Sequence, residues 1–539
     1  MGIIRIDETT ILHNGRIYTM DPMQPMATAV AIRNGRIWAI GSNDDLADLV
    51  GVREQVDLNG RCVIPGLVDA HVHFKHFAIA RQRVNLDGCR SLDEVIGRIT
   101  QRLESEKTAV SWLQGWGWAQ DHWTDRTFPT ATILDQIAPD RPAYLTHKSG
   151  HAAWANSRAL QLAGITAATV DPPGGQIQRD ENGRPTGILF EEAMKLVSVH
   201  IPPPTEAEIV EAMRQAQAYC WQVGLTGVHD FDGRSCFQAL QTLHQNQELG
   251  LRIVKNIPVA HLSEALGLGL RSGFGDDWLR IGGIKIFADG ALGPKTAAMV
   301  EPYEGEPDNR GITVVDKEEM LQHALQASAG GLSLTVHAIG DRANHDVLDV
   351  YAAVRQQEHD QPPAQPLRHR IEHVQLLHHS DLNRLAQLDV IASMQPTHAT
   401  SDMETADRYW GDRTQYSYAW RTMLDSGATL VFGSDAPIES IDPLPGLYAA
   451  VTRRRADGSP DPDGWHPEQR LTMAEAVRAF TLAAAETSGQ ADQQGSITPG
   501  KLADLTILNR DIFTIPSDEL STMAVEGTVI NGRFTHRTF

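Results

Sequence analysis

The chain of 539 residues carries 47 Lys or Arg against 68 Asp or Glu, a formal charge of −21 with His neutral. That balance excludes nucleic acid and anionic membrane as general partners, because both are bound by basic surfaces that displace counterions. With 41% apolar residues the chain can bury at least one large core; at roughly 100–200 residues per domain the length supports two to four domains and excludes disorder for most of it.

The opening run MGIIRIDETT lacks the apolar stretch of a signal peptide, and nothing approaches the roughly 18 uninterrupted apolar residues of a membrane span. Ile6 stands where a myristoylation signal needs Ser or Thr. Cys62, Cys89, Cys220 and Cys236 are too few and too scattered for a disulfide scaffold or a paired CxxC site. A soluble cytoplasmic protein is expected. The 22 histidines stand out, because imidazole is the commonest protein ligand for metals.

In chain order, Asn-Gly-Arg recurs at Asn14, Asn34 and Asn59, and again at Asn531. Asn-Gly between β-rich runs signals a tight hairpin, since both residues tolerate positive φ. The two ends of the chain therefore predict one small β-sandwich, residues 1–64 with 490–539. Between them, short apolar runs alternate with helix-like stretches, the pattern of β-α units. The strand candidates are CVIPGLVDAHVH, GLTGVHD, LRIVKNIPVA, GGIKIFADG, LSLTVHAIG, RIEHVQL, DVIASMQPT and ATLVFGSD. Eight such strands predict an α/β fold, a (β/α)8 TIM-type barrel over residues 65–489. About 130 residues separate the first two strands, too many for a barrel loop, so residues 75–205 are expected to form an inserted subdomain with a helix (SLDEVIGRITQRLESE) and a hairpin (GGQIQRDENGRPTGILF).

The first barrel strand ends in His71-Val72-His73, and the strand period of two points both imidazoles to one side, where they can share a divalent ion. Four other strand ends carry a residue able to join them: Lys285, His337, His373 and Asp435. Strand ends of a barrel converge at the mouth where such folds place their active sites.

From NGRIYTMDP through PGLVDAHVH, IKIFADGALG, HAIGDRA, RIEHVQ and GSDAP to PGKLADLTIL, the chain resembles the amidohydrolase 3 branch of the amidohydrolase superfamily. The resemblance implies one or two divalent metals held by His71, His73, Lys285, His337, His373 and Asp435. An ammonium group has no acceptor with which to ligate a metal. The resemblance supplies the answer: Lys285 adds CO₂ and bridges two ions as a carbamate. The alternative is an unmodified Lys285 paired with an acid such as Asp289, leaving one metal. The imidazole-rich shell favours Zn²⁺, which acidifies a bound water to hydroxide. Asp435 is expected to act as general base and then general acid. The implied reaction is hydrolysis of a non-peptide amide-type C–N bond in a small N-formyl or N-acyl amine. A lactonase or esterase activity would use the same metals. A deaminase is disfavoured, because Ala338, Ile339 and Gly340 follow His337 where a proton-shuttling Glu is expected, and a non-enzymatic scaffold is disfavoured by the complete ligand set.

Around this centre, Trp116 and Trp118, in a segment that also holds Trp112 and Trp123, are candidate pocket walls. His151 is a candidate catalytic donor to the substrate carbonyl. Lys295 and Gln395 are candidate substrate contacts, His398 another, and Asp289, Asp341 and Arg342 candidate supports. Glu372 should point away from the pocket by strand alternation, and His229 is read as structural. A homodimer is the assembly expected, with no nucleic acid and no membrane among the partners.

Overall fold

The computed structural model describes residues 9–49, 51–105, 112–124 and 126–539. It divides into two compact units, residues 78–212 and the remainder.

In the larger unit eight parallel strands form the expected barrel: β1 (Leu67–Val72), β2 (Leu225–Asp230), β3 (Arg252–Pro258), β4 (Leu279–Phe287), β5 (Ser333–Ala338), β6 (Arg370–His373), β7 (Ile391–Met394) and β8 (Leu430–Phe432). Each pairs with its neighbour in sequence order. The ring is drawn together where β8 meets β1: Asp435 N–H donates to the His71 carbonyl (2.7 Å) and His73 N–H to that of Ala436 (2.9 Å). Glycine is required at this seam, because a Cβ on Gly433 would lie 2.4 Å from His71 N. The buried Asp69 carboxylate pins the seam, accepting from the N–H groups of His71 and Ser434 and from the Ser434 hydroxyl. Burial raises its pKa to about 7.

The run CVIPGLVDAHVH is two strands rather than one. Cys62–Pro65 belongs to a six-stranded sheet that also takes Leu505–Leu508, Val525–Ile530 and Arg533–Arg537 from the far end of the chain. Gly66 marks the break before β1. A four-stranded sheet, Thr9–His13, Ala29–Arg33, Arg36–Gly41 and Val52–Asp57, lies in the same unit. Leu12, Val30, Ile32, Val63, Leu505, Ile507 and Val529 from the two sheets share one apolar core. Of the four Asn-Gly turns, Asn34-Gly35 and Asn531-Gly532 close hairpins with positive φ at both residues. Asn14-Gly15 and Asn59-Gly60 instead carry the chain from one sheet to the other, so the same dipeptide serves two topologies.

The second unit has its own six-stranded sheet, including Leu113–Trp118, Ala143–His147, Ala152–Ala155, and the antiparallel pair Gly175–Arg179 and Pro185–Glu191, with the helix Leu92–Ser105. Val95, Ile99, Leu113, Trp118, Trp123, Leu145 and Trp154 form a core of this unit.

Candidate metal centre at the barrel mouth

β1 delivers His71 inward and His73 one step beyond its end; β5 delivers His337, β6 His373 and the turn after β8 Asp435. Asp435 Oδ1 lies 3.6 Å from His71 Nε2 and 3.5 Å from His73 Nε2. Ligand atoms about 2.0–2.2 Å from a tetrahedral ion stand roughly 3.3–3.6 Å apart, so these spacings fit a metal shell. His71, His373 and Asp435 each offer a ligand atom within 4.8 Å of the others. The His337 and His373 rings are 4.6 Å apart and those of His71 and His373 4.9 Å.

Every one of the four imidazoles has one nitrogen committed to the protein. His71 Nδ1 donates to Glu372 (2.6 Å), His73 Nδ1 to Asp232 (3.2 Å), His373 Nδ1 to the Gln395 side-chain oxygen (2.8 Å) and His337 Nε2 to the Gly290 carbonyl (2.9 Å). The proton is thereby fixed on the tethered nitrogen and the lone pair on the other, which is the tautomer a ligand needs. Burial moves the pKa of His71 and His373 well below the ordinary value and that of His337 to about 3, keeping them neutral. Burial also opposes charge on His73, but the hydrogen bond to Asp232 and the nearby Asp435 outweigh it and raise its pKa.

His373 reaches the mouth by an unusual route. Arg370 and Glu372 alternate inward on β6, which by period two would turn His373 outward. Its φ of +77° redirects it, so Glu372 and His373 both face the barrel interior. The expectation that Glu372 points away is thus corrected: its buried carboxylate holds both His71 and the Arg370 guanidinium. Asp435, at φ +61°, is likewise in the left-handed region. Non-glycine residues held there mark backbone shaped around a site.

Lys285 is 3% exposed, its Nζ near the Phe231 and Phe287 rings at 4.6 and 4.8 Å. Burial lowers its pKa to about 8, only partly offset by Glu372 and Asp435. Asp289 is not its partner; that carboxylate accepts the backbone N–H groups of Ala298, Ile339 and Gly340. Asp435 Oδ1 is buried without a hydrogen-bond partner among the described residues, as an oxygen facing a cation would be. The donor set and this orphaned oxygen fit a divalent metal.

The sequence matches the model described as "Amidohydrolase family" over residues 54–536. The chain belongs to the amidohydrolase family. It is 34% identical to "Putative amidohydrolase YtcJ" of Bacillus subtilis over 98% of this chain and 99% of that protein. It is 30% identical to "N-substituted formamide deformylase" of Arthrobacter pascens over 96% of each. Among solved structures it resembles an uncharacterized metal-dependent hydrolase from Pyrococcus furiosus, at 28% identity and TM-score 0.74, covering 94% of this chain and all of that one.

The remaining candidates of this amidohydrolase fall in varied places. Gln395 touches His373 rather than open space, so its oxygen is used in holding a ring. Lys295 is taken up by an ion pair with Glu306. Asp341 accepts Val300 N–H, and Arg342 pairs with Asp346. His229 is buried and its Nδ1 accepts from Arg370. In the second unit, Trp118 is fully buried and donates to the Leu145 carbonyl, so its indole is core rather than pocket wall. Trp116 is 43% exposed, and His151 is exposed with Nδ1 on Glu191. Sequence reading missed Glu372, Asp69 and Asp232. It also missed the buried Lys255–Asp230 pair, whose carboxylate receives the N–H groups of Phe74 and Asp232 and so braces the segment that carries His73. The acid pair in VHDFD was the one available signal.

Proposed function

We propose that this amidohydrolase is a metal-dependent hydrolase of a non-peptide amide-type C–N bond, acting on a small N-formyl or N-acyl amine. The observation that carries the reading is a set of four histidines, three of them buried, each tethered through one ring nitrogen, with His71, His73 and His373 each offering a second nitrogen close to Asp435. The relative named for deformylation of N-substituted formamides supports the bond type.

His71, His73, His337, His373 and Asp435 would hold two divalent ions, Zn²⁺ by the character of the donors, together with a carbamate on Lys285. Bound there, such ions polarise the scissile carbonyl and make a water acidic. Lys285, buried and with its pKa lowered to about 8, presents an appreciable share of the neutral amine that carbamate formation requires. Its nitrogen bonds to the carbon of CO₂ and releases one proton. Asp435 would take a proton from water and return it to the departing amine nitrogen, a role that its buried carboxylate beside the histidines supports. His398, buried, lies with Nε2 3.8 Å from the other Asp435 oxygen and has no partner for it among the described residues. That nitrogen is proposed as a contact for the substrate.

The test is a panel of N-formyl amines, N-acyl amines and lactones offered to metal-loaded enzyme. Hydrolysis of an amide, lost on chelation and restored by Zn²⁺, is expected. Turnover of lactones alone would overturn the assignment of bond type.

A further inference from the structure

A second polar cavity, of about 90 Å³, lies among the starts of the barrel strands, away from the ligand-bearing ends. Its lining includes Arg280 near the start of β4, Ser333 at the start of β5, Arg368 and Arg370 at the entry to β6, and His229 of β2. It adjoins an open surface groove that shares Ser272, Gly273 and Gln365 and carries Arg271, which gives solvent a way in.

Three arginines and no Asp or Glu line it among the described residues, in a chain whose net charge is −21. Arg370 is satisfied by Glu372, the Ala70 carbonyl and His229 Nδ1. Arg280 and Arg368 are not. Arg280 makes one long bond, 3.4 Å, from Nε to the Asp276 carbonyl, and neither guanidinium has a carboxylate within ion-pair distance among the described residues. The carboxylate of Asp276 is occupied by His244 and by the N–H groups of Trp278 and Leu279. Because His229 Nδ1 accepts from Arg370, its ring proton sits on Nε2. The Ser333 hydroxyl oxygen accepts from Arg368 N–H and keeps its own proton to donate. Asn256, by contrast, is used on both sides, by the Asp230 carbonyl and Gly283 N–H.

We propose that this cavity is a binding site for a single tetrahedral oxyanion, inorganic phosphate or a terminal phosphate group, held by Arg280, Arg368, Ser333 and His229. Uncommitted guanidinium forks, a hydroxyl donor and an imidazole N–H, with no acid in the lining of the cavity itself, match the acceptor-only surface of phosphate. The volume admits one such group. The site is separate from the metal centre and stands whatever bond the mouth cleaves.

The experiment titrates the metal-loaded full chain with inorganic phosphate by calorimetry, beside Arg280→Gln, Arg368→Gln and the double variant. Both side chains are at least partly exposed, so the variants should fold; circular dichroism and hydrolytic activity verify this. Saturable binding that weakens about tenfold in each single variant, vanishes in the double one and is partly restored by Arg368→Lys is expected. It should also weaken as salt rises. Absence of binding at millimolar phosphate would overturn the proposal. So would binding that survives in the double variant and disappears on chelation, which would put phosphate on the metals. Comparing inorganic phosphate with a phosphomonoester decides which source of the group the site accepts.

Discussion

Glu372→Gln is the most revealing single substitution, because it preserves shape while removing a charge that two groups share. The carboxylate receives His71 Nδ1 at 2.6 Å and two bonds from Arg370, with all three side chains at most 3% exposed. Arg370 and surrounding hydrogen bonds keep its pKa below the ordinary carboxylate value although burial pulls the other way. An amide keeps one acceptor oxygen but sets an N–H₂ against a donor and leaves Arg370 without its counter-charge. Breaking a buried pair from one side costs about 3–5 kcal/mol, and the retained hydrogen-bonding oxygen places the expected loss near the lower figure, about 3 kcal/mol. His71 also loses the partner that fixes its proton on Nδ1, which should weaken metal binding about 10–100-fold, or roughly 1.4–2.7 kcal/mol. Urea unfolding of chelated protein reads the first effect, and competition with a chromophoric chelator reads the second. A variant that folds and competes for metal as well as the parent would refute the claim that Glu372 orients His71.

Asp435→Asn should abolish turnover while most metal stays bound, as metal content and hydrolysis assayed together will show. Gln395→Ala should lower metal affinity through His373 and leave the melting temperature of chelated protein little changed; an effect on substrate KM alone would return Gln395 to the role of substrate contact. A pH-dependent stability difference should attend Glu475, which caps Thr472 and pairs with Arg421 at 2.5 and 2.8 Å. Arg421 leads in lowering its pKa from 4.5 to about 2. A depressed acid stabilises the fold above its unfolded pKa and loses that contribution as pH falls through the folded one. After allowance for a side chain 32% exposed, Glu475→Gln should cost about 1–2 kcal/mol at pH 7, and the gap from the parent should close between about pH 4.5 and 2. An unchanged gap at the acid end, measured by urea midpoints, would contradict this.

The barrel was legible because its strands are apolar runs that end in polar residues, and the six candidate ligands were found as strand-end chemistry rather than as histidines in general. What escaped depended on information a linear pattern does not hold. Glu372 was assigned to the wrong face because period two assumes a regular strand, and the positive φ at His373 breaks it. Asp232 and Gln395 serve rings on neighbouring strands, so their partners appear only once β1 lies beside β2 and β6 beside β7. Trp118 reads like Trp116 in sequence, and a regular strand would put both on one face, yet the bulge between them buries one and exposes the other. The split at Pro65-Gly66 was hidden because two consecutive strands in different sheets look like one long apolar run.

The barrel mouth is proposed to hold metal through its tethered histidines and Lys285. Metal content per chain, determined together with intact mass before and after acid treatment, tests it most directly. Two divalent ions and a CO₂-sized adduct that acid removes are expected, both lost together in Lys285→Ala. Fewer than one ion per chain with no adduct, in protein prepared with Zn²⁺ and bicarbonate, would contradict it.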